Sequence, residues 1–365
     1  MARRAVDESQ RRSKAFPPVR VVSGPAFELV AEIAAFTSGP ARASLDSGKA
    51  WIREVRRLAG PELIARVECY TLGVYAELAS VALESAPPRG VAELAGTLEA
   101  LDAEALRLRL LGADSPLNLT MVSEGALERA VSGDSAARAE VRTAMAADPT
   151  GRQALERLID GRADVLKAEF RSVVAGWAER VFPAFEPVAL AAIERDRAAK
   201  EAQLRQSSGR AVLAAATSGV SFNPSPWITE IAIVPTVALR PFIVPTELRS
   251  TAVFLCSVAD EALDVDPTAP PRRLVKVAAA LGDELRMRML RLLRDEELSA
   301  SEIAARLGVE RASIHHHLGI LRSAGLLAIS DEGERGWRYA LRNEGLSAVG
   351  AGLDAYLGPR ARMGP

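Results

Sequence analysis

Apolar residues recur along most of the chain at three- and four-residue spacing, the period of helices with one buried face. Phe27, Val30, Ile33, Ala34 and Phe36 form one stripe, and Trp51, Ile52, Val55 and Leu58 a second that stops before Gly60-Pro61. A third runs through Leu63, Val67, Tyr70, Leu72, Val74 and Leu78 towards the break at Pro87-Pro88. Helical stretches follow over 91–111, around 127–146 and over 153–181, and resume at 193–204 after Pro183 and Pro187. The texture changes after Ser207. Residues 228–234, 242–244 and 251–258 are short, β-branched and apolar, separated by Pro235, Pro241 and Pro245, and predict a small, mostly antiparallel sheet. No fixed period of self-similarity appears, so a solenoid is not expected. The expected class is mainly α (α+β): a helical N-terminal domain with a small antiparallel sheet over 19–263.

The densest pattern lies near the C-terminus, over 281–341. Asp283 is a good N-cap for a helix carrying Leu285, Met289, Leu292 and Leu293. Ser299-x-x-Glu302 is a capping box opening a second helix through Ile303, Ala304 and Leu307, which stops at Gly308. A short turn leads to a third helix with Ile314, Leu318 and Leu321 buried, ending at Gly325, and then to a hairpin of 326–330 and 337–341. Two short helices joined by a tight turn, the second followed by a hairpin, describe a winged helix-turn-helix, and predict DNA binding. A helix with Leu274, Val277 and Leu281 precedes it, and a stripe of Leu346, Val349, Leu353 and Leu357 follows. This domain is expected over 272–358. The run DVDPTAPP at 264–271 reads as a proline-stiffened linker, 1–18 as a disordered basic arm and 359–365 as a tail.

This C-terminal segment resembles the winged helix of the ArsR/SmtB family of bacterial transcriptional repressors. The matching residues are Ala280-Leu281-Gly282-Asp283 with Arg286, Ser301-Glu302-Ile303-Ala304, Ser313-Ile314, His317-Leu318, Leu321-Arg322 and Ala324-Gly325-Leu326. The resemblance covers roughly a fifth of the chain, with several linked motifs in order. It implies a repressor, and a homodimer built on the first and last helices of the domain. Packing of those helices on the N-terminal domain is the competing reading. The N-terminal region resembles the uncharacterised domain preceding an ArsR-type winged helix in many actinobacterial regulators, on Ile233-Val234-Pro235 and Arg240-Pro241. It reads either as a sensor for a small-molecule effector or as an assembly module without a small ligand.

If Ile314, Leu318 and Leu321 face inward, Arg311, His315 and Arg322 lie on one exposed flank of the third helix and Ala312, His316 and Gly319 on the other. Arg311, Ser313, His315 and His316 sit near its N-terminus, the end that meets base edges in this motif. Arg322 also belongs to the DNA-binding set. In the hairpin, Arg335 and Arg338 are the candidate phosphate or minor-groove contacts, beside Glu332 and Glu334. His317 borders the apolar stripe and is read as a positioning residue.

Charge and composition add limits. A net charge of −1 over 365 residues advertises no nucleic-acid partner, so DNA-binding charge must be local. The 3 histidines of the chain are consecutive. Adjacent helical residues point about 100° apart and do not converge on one ion. Metal sensors of the family carry thiolates before the recognition helix, or His and carboxylates on the last helix. Here 297–301 contains no cysteine and the last helix no histidine, so neither a metal site nor a cofactor is expected. Cys69 and Cys256 read as buried, inert thiols of a reducing cytoplasm. No phosphate loop, nucleophile elbow or zinc-ligand spacing appears, so no enzyme is expected. The start of the chain lacks an apolar core and no segment is long enough to span a bilayer, which predicts a cytoplasmic protein.

Overall fold

The computed structural model describes residues 16–39, 42, 45–114, 122–145, 149–217, 222–263, 270, 272–331 and 337–358. The chain forms two compact units interleaved in sequence. The first comprises Met1–Arg210 and Pro224–Val258, the second Ala211–Asn223 and Ala259–Pro365. The sequence places one boundary, at 264–271; the contacts divide the chain at three points. Most of the expected arm and linker, and the whole tail, lie outside the described residues.

In the first unit a short strand, β1 (Val19–Val21), precedes helices α1 (Pro25–Phe36), α2 (Gly48–Val67), α3 (Leu72–Ala76), α4 (Leu78–Glu84), α5 (Val91–Ala100) and α6 (Ala103–Leu110). Then come α7 (Ala126–Val131), α8 (Ser135–Met145), α9 (Pro149–Asp160), α10 (Ala163–Arg180) and α11 (Glu186–Leu204), while α12 (Gly209–Ala216) straddles the division after Arg210. Strands β2 (Glu230–Thr236), β3 (Val244–Leu248) and β4 (Thr251–Ser257) follow. The break expected before Gly60-Pro61 is present as a kink in α2, where Gly60 takes φ 72°. Other expected helices are split. Asp102 caps α6 through the N–H groups of Glu104 and Ala105, which ends the stretch expected over 91–111 as one helix.

The sheet order is β1-β2-β4-β3. The small sheet is present, but the antiparallel expectation is overturned: β1 pairs parallel with β2 and β2 parallel with β4, and β3 alone runs antiparallel to β4. The cause is legible in burial. Parallel strands are covered on both faces, and Ile231 to Val234 and Ala252 to Cys256 are buried at every position. Ala232, Val234, Val253 and Leu255 face the main core, while Cys256 lies beside Lys200 and Asp196 of α11 on the opposite face. Pro235 is tolerated in a central strand because β1 ends at the Val21–Ile233 pair, before any N–H would be needed there. Cys256 is buried, and burial pushes its thiol up to about 12; Cys69 is half-buried and donates to the Ala65 carbonyl at 3.2 Å.

Helix α1 is buried from Ala26 to Phe36. Gly24, just before it, approaches the backbone closely: a Cβ there would lie 2.7 Å from the carbonyls of Pro88 and Arg89. Two carboxylates go into this core. Glu28 accepts from the backbone N–H groups of Val237 and Ala238, both at 2.9 Å, and Glu32 accepts from Trp177 Nε1 at 2.9 Å. These bonds hold the turn after β2 and helix α10 against α1. Burial outweighs the two N–H donors and raises the Glu28 carboxyl to about 7; it raises Glu32 well above the ordinary range, helped by the neighbouring Glu28.

In the second unit, helices α13 (Arg272–Leu281), α14 (Glu284–Asp295), α15 (Ala300–Leu307) and α16 (Arg311–Ser323) lead to β5 (Leu327–Asp331), β6 (Trp337–Leu341) and α17 (Asn343–Leu357). Met289, Leu293, Ile303, Ile314, Leu321 and Leu326 lie at the centre of its own core. Among the described residues no helix is long and apolar enough to cross a membrane.

Glu28 gives a pH prediction. Its folded value of about 7 lies above the ordinary 4.5, so the fold favours the neutral acid. Stability is fullest below the ordinary carboxylate range and falls as pH rises through about 7, by on the order of 3 kcal/mol for the whole shift. Urea unfolding of wild type should weaken over this window, and Glu28→Gln should flatten the dependence. An equal slope in the variant would show that Glu28 is not its source.

Candidate DNA-binding surface

The corner between α13 and α14 is built by Asp283 and Arg286. The Asp283 carboxylate accepts from the Arg286 N–H at 2.9 Å and so caps α14. Arg286 turns back, donating Nε to the Ala280 carbonyl at 2.7 Å and Nη2 to the Ala279 carbonyl at 2.9 Å. It therefore satisfies carbonyls at the end of α13 that have no partner within their helix, with Nη1 3.7 Å from Asp283. The Arg286 N–H, then the charges of Arg286 and His317, hold the Asp283 carboxyl below its usual range.

The capping box expected at α15 forms in both directions: Glu302 N–H donates to Ser299 Oγ at 3.3 Å and Ser299 N–H to Glu302 Oε2 at 2.7 Å. Gly308 takes the left-handed conformation, φ 66°, which ends α15 and turns the chain into α16. On α16, Ile314, Leu318 and Leu321 are buried and Gly319 is exposed, so the helix is rolled as its spacing predicts. The helix ends as Gly325 takes φ 69°.

The wing has one more partner than the sequence suggested. Strands β5 and β6 pair antiparallel, from Leu327–Leu341 to Asp331–Trp337. Leu298, just before α15, adds a bridge to Tyr339 through two backbone bonds of 3.0 and 2.9 Å. Tyr339 and Leu341, two residues apart on β6, both pack against the core. Arg338 Nη2 donates to the Glu297 carbonyl, and Nη1 lies 3.3 Å from Glu302. Glu302 is thus shared between the cap of α15 and the wing. Its carboxyl is held below the usual range by the Ser299 N–H first and by the Arg338 charge among other causes.

The expected DNA-facing residues are therefore distributed as follows. Arg311 and Ser313 lie in the first turn of α16, and His315 and His316 one turn along; of these the side chain of Ser313 is described, and it is half-buried. Arg322 is exposed in the last turn, near enough to Tyr339 for its charge to act on the phenol. Arg335 lies outside the described residues. Arg338 is not on an open face: it is engaged with Glu297 and Glu302. His317 is half-buried with Nδ1 shielded from solvent. The sequence carried a signal for the role of Arg286, three residues after a capping aspartate, but none for the pairing of Leu298. Among the described residues, no group of three His, Cys, Asp or Glu side chains is placed to hold a metal ion.

Residues 281–329 match a protein family described as a helix-turn-helix domain. Over 74 residues the chain is 38% identical to the HTH-type transcriptional regulator CmtR of Mycobacterium tuberculosis and to its namesake from Mycobacterium bovis. The matched stretch is 20% of this chain and 62% of each relative, so the chain spans less than two thirds of the curated relatives' length. The C-terminal part of the protein is a helix-turn-helix domain.

Ser299→Ala removes the acceptor for the Glu302 N–H at a helix start. It should cost about 1 kcal/mol, the usual magnitude for loss of an N-cap. A lowered urea midpoint for the second unit, followed by amide exchange in α15, is the expected result. Unchanged exchange protection there would deny the cap its role.

Proposed function

We propose that the protein is a DNA-binding transcriptional regulator of the ArsR type, which represses from an inverted-repeat operator in double-stranded DNA. The observation that carries this reading is α15, the left-handed turn at Gly308 and α16 in sequence, in a segment that matches a helix-turn-helix domain. The relatives' description as HTH-type transcriptional regulators supports it. In this reading α16 enters the major groove, where Arg311, Ser313, His315 and His316 meet bases or phosphates. Arg322 and Arg335 contact the backbone, and Arg338 anchors the wing. Footprinting on the protein's own promoter at stated salt tests this assignment. Arg311→Ala with His316→Ala should abolish protection, and unchanged protection would reject α16 as the reader.

The operator-bound form is a homodimer. Val275 on α13 is 50% exposed and Leu357 on α17 is 69% exposed, with Leu346, Leu353 and Tyr356 also in the open. Helices α13 and α17 pack on each other. A second copy there would remove these side chains from water and set two recognition helices about one DNA turn apart. The first unit takes a non-metal effector or a protein partner and performs no catalysis. Sedimentation equilibrium should give a dimer for wild type and a monomer for Leu353→Glu with Leu357→Glu. A monomeric wild type that still protects its operator would dismiss the dimer.

A further inference from the structure

We infer that Gly345 is a positioning residue: it lets α17 lie backbone against backbone on the end of α16, and so fixes how far apart two copies of the protein hold their recognition helices. The inference rests on the dimeric, DNA-binding reading above and assigns the joint that sets its geometry.

Glycine is a poor helix former, yet α17 carries Gly345, Gly350 and Gly352. A Cβ added at Gly350 or Gly352 meets nothing within 4 Å. One added at Gly345 lies 2.3 Å from the Gly325 carbonyl oxygen, 3.2 Å from its carbon and 3.4 Å from Leu326 Cα. All of these atoms are backbone, which does not swing aside as the end of a side chain does. Gly345 is also buried. Of the glycines in α17, it is the one whose missing side chain the packing requires.

The surface on which Gly345 rests belongs to α16. Past Ser323 the chain stays bonded to that helix: Gly325 N–H donates to the Arg322 carbonyl at 2.8 Å, and Leu326 N–H to the Leu321 carbonyl at 3.1 Å. The Leu326 carbonyl in turn accepts from the Arg342 N–H at 2.9 Å, one residue before α17 begins. The two helices are thus joined by a backbone contact and a backbone hydrogen bond. A contact between side chains yields by a change of rotamer, and this one has none to change. A shift of α17 is therefore passed on to α16.

The outward side of α17 decides what the joint transmits. Leu346, Leu353 and Leu357 are exposed, and their helical spacing puts them on one stripe. In the dimer a second copy covers that stripe, so α17 is fixed relative to the two-fold axis and α16 is fixed to α17. An alanine at 345 must open the joint by about 1 Å before an ordinary contact is restored. Both copies contribute that displacement, whereas hydrogen bonds to base edges hold over a range of about 0.5 Å. One half-site or the other then loses its register.

The test is fluorescence anisotropy of the full chain on three duplexes made from the protected site of its own promoter: the intact inverted repeat, a single half-site, and the repeat with one base pair inserted between its halves. Wild type should bind the intact repeat about tenfold more tightly than the half-site, an ordinary coupling between two sites. The insertion should return it to the half-site level. Gly345→Ala should remain a dimer in sedimentation equilibrium, keep its half-site affinity and lose the tenfold gain. Gly350→Ala, on the same helix but in open space, should behave as wild type. A Gly345→Ala protein that keeps the gain overturns the inference, as does a wild type indifferent to the inserted base pair. So does a Gly345→Ala protein that unfolds, becomes monomeric or binds the half-site more weakly, since the glycine then serves the fold or the reader itself. A monomeric wild type that binds repeat and half-site alike overturns the dimeric reading, and one that binds no duplex overturns the DNA-binding reading; the inference falls with either.

Discussion

Burial of the Ile314–Leu318–Leu321 face fixes the second unit. Helix α16 is short, and a helix of this length is marginal alone in water. Once that face is inserted among Met289, Leu293 and Ile303, its roll is set and its opposite side must face outward. The rest of the unit serves that placement. Gly308 delivers the chain at the right angle, the capping box keeps α15 whole, and the Asp283–Arg286 corner closes the gap to α13. Arg338 then uses the same Glu302 that caps α15 to hold the wing, so cap and wing share one carboxylate.

The first unit solves a different problem. Its central helix is surrounded on all sides, which leaves no polar face for Glu28 and Glu32. Both are retained inside and satisfied, one by two backbone N–H groups and one by an indole. Such groups add little net stability but are costly to leave unpaired, so they specify which turn and which helix lie against α1. The two-sided sheet beside them has the same logic, with the Lys200–Asp196 pair buried on its far face.

Local chemistry was legible in the sequence, and long-range pairing was not. Asp283, Ser299-x-x-Glu302, Gly308 and the α16 stripe act within a few residues of themselves, and each forms as read. The sheet failed in direction because pairing of β2 with both β1 and β4 joins residues far apart in the chain, and its parallel sense follows from coverage on both faces. Strand β1 is three residues long, too short for any periodicity. Glu28 and Glu32 gave no warning either, since their spacing is that of an exposed face until the surrounding helices are known. Of the candidate site, positions on α16 follow from periodicity. The engagement of Arg338 depends on Leu298 meeting Tyr339 across the unit.

The interleaving of the two units has a consequence for how the protein can be divided. The chain passes between them after Arg210, after Asn223 and after Val258. The buried core of the helix-turn-helix domain runs from Val277 to Leu327 and, among the described residues, takes none from Ala211–Asn223. A break at 264–271 therefore leaves that core whole on the downstream piece, while Ala211–Asn223 stay with the upstream one.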